Sequence, residues 1–82
     1  MSGLAELHQL LTAVQSGLAD GRTHTERAKS LLEEARRAMV DAQAQADPWL
    51  PPELPRIGEE LDTLLTRLSA ADELVSGYQS RL

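Results

Sequence analysis

Two ladders of apolar and small residues, each climbing by alternating steps of three and four, fix what this chain can become. The first is Leu4, Leu7, Leu11, Val14, Leu18, Gly21, Thr25, Ala28, Leu32, Ala35, Met39, Ala42 and Ala46; the second is Leu54, Ile57, Leu61, Leu64, Leu68, Ala71, Val75, Tyr78 and Leu82. A mean step of 3.5 residues holds one stripe of a helix towards one partner, the seam of a coiled coil. The only proline-rich stretch, Asp47-Pro48-Trp49-Leu50-Pro51-Pro52, lies between the ladders. The expected fold is therefore all-α: an antiparallel, coiled-coil-like helical hairpin.

Local signals give the expected bounds. The first helix spans about residues 4–46, the corner 47–54 and the second helix about 55–81, in a single domain. Ser2 is the expected N-cap of the first helix, with Glu6 in its first turn. Asp47 precedes a proline and is pushed out of the helical region. The second helix starts between Pro52 and Pro55, where a first turn accepts proline.

The stretch Asp20-Gly21-Arg22-Thr23 offers an alternative. Gly21 fits a residue just past a helix end, and Thr23 with Glu26 fits a capping box. That version gives a three-helix bundle with a break near Gly21. The ladder stays in phase across the stretch, and glycine inside a helix costs only about 1 kcal/mol, so one long helix is the preferred reading.

At about 1.5 Å per residue the helices measure roughly 64 and 40 Å. Folded back from the corner, the second is expected to cover the first only as far as about residue 20. Ala28, Ala35, Ala42 and Ala46 then receive the bulk of Leu61, Leu64, Leu65, Leu68 and Leu74. Leu4, Leu7, Leu10, Leu11, Val14 and Leu18 stay uncovered. At about 1.5–3 kcal/mol per buried aliphatic side chain, leaving six in water forgoes on the order of 10 kcal/mol, as much as a small domain's whole stability. The expectation is that this stretch binds another helix, either in a homodimer that makes a four-helix bundle or on a helical protein partner.

Composition narrows the function classes. The net charge is −5, and the eight basic residues are scattered, which argues against nucleic acid as a partner. Without cysteine there is no disulfide and no thiolate metal site. The start, Met1-Ser2-Gly3, has no basic segment of a signal peptide, and no run is apolar enough to span a bilayer. A cytoplasmic location without membrane contact is expected, with signal-peptide-independent secretion left open.

Candidate chemistry is sparse. His8 and His24 lack histidine or glutamate partners at ligand spacing and read as exposed helix positions. The doublets Glu33-Glu34 and Glu59-Glu60 point about 100° apart on a helix and do not converge; Glu33 pairs with Arg37 instead. Ser30, Thr66, Ser69 and Ser76 have no activating base, and no phosphate loop is present. The chain is expected to be no enzyme and to need no cofactor or metal. Trp49 reads either as a staple on Leu54 or Ile57 or as an exposed partner anchor. Tyr78 reads as a seam residue.

With a hairpin and a mid-chain tryptophan in place, the chain resembles the small WxG-type helical-hairpin proteins of type VII secretion. Trp49-Leu50-Pro51 stands where that family has Trp-x-Gly, and Tyr78 is followed four residues on by Leu82 rather than by an acid. The run Ala28-Lys29-Ser30-Leu31-Leu32-Glu33-Glu34-Ala35-Arg36 and the ending Tyr78-Gln79-Ser80-Arg81-Leu82 are also similar to small actinobacterial proteins and to the N-terminal segments of actinobacterial polymorphic toxins, deaminase toxins among them. These resemblances imply dimeric hairpins and an adaptor or targeting role beside a toxin or secretion component. They carry over no functional residue.

Overall fold

A computed structural model describes residues 2–43 and 49–82. Two helices account for nearly all of them: α1, Ser2–Gln43, and α2, Glu53–Ser80. They run antiparallel against one another along a rod of 67 × 15 × 14 Å. The chain is an all-α helical hairpin.

α1 passes through Gly17 and Gly21 without a break, so the three-helix alternative is set aside. Within that turn Thr25 Oγ1 donates to the Gly21 carbonyl at 2.7 Å. Thr25 is also the one described residue that is buried, at 6% exposure. Its hydroxyl lies beneath α2 at no polar cost, because the bond to Gly21 satisfies it. Gly21 faces α2 as well, and a methyl group there would stand 3.7 Å from both Leu68 methyls, an ordinary contact.

At its start α1 already includes Ser2, so the expected cap lies one residue inside the helix. The helix end expected at Ala46 and the Asp47-Pro48 stop lie outside the described residues. α2 opens at Glu53, between Pro52 and Pro55. Pro52 takes helical angles, φ −63° and ψ −16°, as its flanking residue, and Leu54 N–H closes the first turn on Pro51 C=O at 3.1 Å. Pro55 then falls within the first turn, where its missing N–H would have had no helical partner anyway. At the far end Arg81 N–H reaches Tyr78 C=O at 3.1 Å and Leu82 N–H reaches Gln79 C=O at 3.2 Å, which stops the helix without a glycine.

Every contact between the helices fits one register: Gln15 with Ser76, Gly21 with Leu68, Lys29 with Asp62, and Leu32 with Gly58. Ser80 therefore lies abreast of Leu10, and Glu53 abreast of Arg37. This corrects the expectation that α2 reaches only to about residue 20. That estimate set both helices level at the corner, whereas α2 begins well back along α1 and lies against its middle. Leu7, Leu11 and Leu18 are accordingly half-buried, while Leu4, Leu10 and Val14 remain exposed.

Neither ladder behaves as one stripe. On α2, Leu54, Leu61, Leu68 and Val75 are half-buried, while Ile57, Leu64 and Tyr78 are exposed. One column of the ladder packs on α1 and the other turns away from it. The covered places on α1 run Leu7, Leu11, Gln15, Leu18, Gly21, Thr25, Ala28, Leu32, Ala35, Val40 and Gln43, Thr25 buried and the rest half-buried. Their mean step is close to the 3.6 residues of a straight helix, not the 3.5 of a supercoiled one. The contact line thus slides from Val14 to Gln15 and from Ala42 to Gln43. Tyr78, Leu64 and Leu74, expected on the seam, all lie outside it, Leu74 at 76% exposure.

Candidate functional site

A hairpin of two helices has two long sides, and here they differ in kind. At about 100° per residue, Gln15, Arg22, Lys29, Glu33 and Arg36 fall on one side of α1. Asp62, Ser69, Ser76 and Ser80 fall on the adjoining side of α2. The side-chain bonds between the helices cluster there. Gln15 Nε2 donates to Ser76 Oγ at 2.7 Å, Lys29 pairs with Asp62, and Gln79 Nε2 donates to Thr12 Oγ1 at 3.3 Å. Gln79 also lies 3.5 Å from Nδ1 of His8, which is half-buried and not the exposed position expected. On the same side Arg36 bonds Glu33 at 3.0 Å and holds its carboxyl below the usual carboxylate range. Arg37 stands 3.7 Å from the same carboxylate, the pair expected from spacing.

An open hollow of about 450 Å³ lies on this polar side near the corner. Leu32, Leu50, Leu54 and Pro55 floor it, and Lys29, Asp62, Glu33 and Arg36 rim it. The rim charges are already paired with one another, so no charge is left over to select a ligand. Among the described residues no group of three or more His, Cys, Asp or Glu side chains is placed to hold a metal. None of their helices is long and apolar enough to cross a membrane.

The other side is apolar. α1 sends Leu10, Val14 and Met39 to it, and α2 sends Ile57, Leu64 and Tyr78; all are exposed. Between them the α1 floor is low: Gly17, Gly21, Ala28 and Ala35 have little or no side chain. Among the described residues no hydrophobic side chain is fully buried. The whole chain exposes 6225 Å². A compact monomer of its mass would expose roughly 4,900 Å². The surplus exceeds the roughly 800 Å² that one partner buries in a standard interface.

Of the residues expected to form an interface, Leu10 and Val14 lie on this apolar side. Leu4 is exposed near the α1 start, and Leu7, Leu11 and Leu18 are partly covered by α2. Trp49 stands apart at the corner with 67% exposure, so it does not serve as a staple. Its backbone is fixed from both ends of one amide: Gln43 Nε2 donates to Trp49 C=O, and Trp49 N–H donates to Gln43 Oε1. The indole is thereby presented to solvent from an anchored backbone. Sequence reasoning missed Met39, Ile57, Leu64 and Tyr78 as outward-facing residues. The signal was the ladder's own step, since its two columns need not face the same neighbour.

No family model matches the chain, and no curated protein or solved structure is similar to it.

Proposed function

We propose that the chain is a non-enzymatic association module that works by laying its apolar side against other helices, as an adaptor for a helical protein partner. The observation that carries this reading is the set of exposed large apolar side chains along one side of a hairpin whose described residues bury no hydrophobic side chain. A two-helix chain of this length has too little interior to be stable by itself, and docking is the usual remedy. Trp49, held at the backbone and free at the indole, adds a second contact point of the type that dominates interface energetics. A secretion or toxin setting is suggested by the resemblances alone.

Capture from the native host with the purified chain as bait tests the adaptor reading. A second polypeptide should be retained by the wild-type chain and lost by Leu10→Asp/Leu64→Asp. If both chains retain the same partner, the apolar side is not the docking surface. The alternative function is a structural homodimerisation or scaffold module, favoured by exposed apolar side chains that both helices contribute. Retention of the chain itself and nothing else selects it.

A further inference from the structure

The outer margins of the apolar side carry columns that recur every seven residues. On α1 the column reads Glu6, Ala13, Asp20, Arg27; on α2, read from its far end, it reads Arg81, Leu74, Arg67, Glu60. By the register of the hairpin, each residue of the first column lies within about one turn of height from its counterpart in the second. At three of these heights the charges are opposite, and at the fourth both residues are apolar. Within one chain they never meet, because the columns sit on opposite outer margins with both helices between them. Among the described residues, Glu6, Asp20, Arg27, Arg67 and Arg81 form no ion pair.

We infer that a second copy of this chain covers the apolar side, related by a two-fold axis parallel to the helices. This rests on the reading of the apolar side as a docking surface and takes up its homodimer alternative. Such an axis keeps every residue at its own height and lays α1 of one copy over α2 of the other. The two outer columns then face each other twice, once along each margin, as flanking charges do beside a coiled-coil seam. Leu74, the most exposed large apolar residue of the hairpin, meets Ala13, a residue small enough to admit it. Every helix lies antiparallel to both neighbours, which suits the macrodipoles. The next step of the columns sets Glu34 beside Glu53, a like-signed pair at the α2 start. A two-fold axis across the helices would lay α1 on α1 and separate the columns altogether.

Charge reversal and cross-linking read this arrangement. Dissociation constants are measured by sedimentation for the wild-type chain, Asp20→Arg, Arg67→Asp and the double variant, with helicity followed by circular dichroism. Each single reversal should weaken the dimer by about tenfold or more, and the double variant should recover to within about threefold of wild type. The native chain has no cysteine, so Ala13→Cys/Leu74→Cys is a clean probe. Mild oxidation should link two chains into a species of twice the mass, since the two positions in one chain lie beyond the roughly 7 Å Cα limit of a disulfide. A wild-type dimer that shows neither rescue nor cross-link overturns the arrangement and leaves the association reading standing. A wild-type chain that is monomeric at 100 µM, yet docks another helical protein through Val14 and Leu64, overturns the second copy alone. A folded monomer whose melting does not depend on concentration, and which docks nothing, overturns both.

Discussion

The two long sides of the hairpin teach different lessons about what holds it together. The polar side is the better paired: Gln15, Lys29, Glu33, Arg36 and Gln79 have found partners across the helix boundary or along α1. The apolar side is unfinished: its large residues have neighbours beneath them and none above. Surface hydrogen bonds and ion pairs set register but add little stability, because water competes for every group. Burial of apolar surface adds far more per residue. The side that looks better organised is therefore the less important one for stability.

Substitutions that separate the two sides test this directly. The largest effect is expected for Val14→Asp/Leu64→Asp on the apolar side. Association should weaken more than a hundredfold by sedimentation, since two charges would have to be buried unpaired on each copy. An unchanged dissociation constant would remove the apolar side from consideration. Next comes the seam itself. Leu68→Ala should destabilise the fold by about 2 kcal/mol in urea denaturation, near the low end for truncating a leucine because Leu68 is only half-buried. A smaller gain is expected away from both sides. Gly77 is exposed on α2 with nothing within 4 Å of an added methyl group, so Gly77→Ala should stabilise by about 0.5–1 kcal/mol.

The polar side should respond least. Lys29→Gln should cost under about 1 kcal/mol, because both members of its pair with Asp62 are well exposed. A loss comparable to that of Leu68→Ala would show this side to be stronger than its exposure implies. The Glu33 carboxyl should titrate below the usual carboxylate range by nuclear magnetic resonance, and Arg36→Gln should raise it towards that range. Since the folded chain holds Glu33 below its ordinary range, its contribution is present above that range and fades as pH falls through the lowered value. A Glu33 titration unaffected by Arg36→Gln would rule out their bond as the cause.

Helix type and number were legible because both ladders are long and the prolines are confined to one corner. The continuity of α1 through Gly21 was legible too, from the unbroken phase on either side. Coverage was not. The length difference between the helices said how much of α1 stays bare but not where α2 would lie along it. That choice placed Leu7, Leu11 and Leu18 partly under α2 and left Leu10 and Val14 out. The anchoring of Trp49 could not be read either, since nothing in the sequence marks Gln43 as the side chain that holds it.

The order of residues alone determined two helices, one corner and an excess of leucine over what two helices can hide, because period, proline and composition act locally. Only the packed hairpin decided which column of each ladder meets the other helix and which meets solvent. A step of three or four residues leaves the stripe free to rotate, and the rotation is fixed by contacts such as Gly21 on Leu68 and Lys29 on Asp62, whose members lie far apart in the chain.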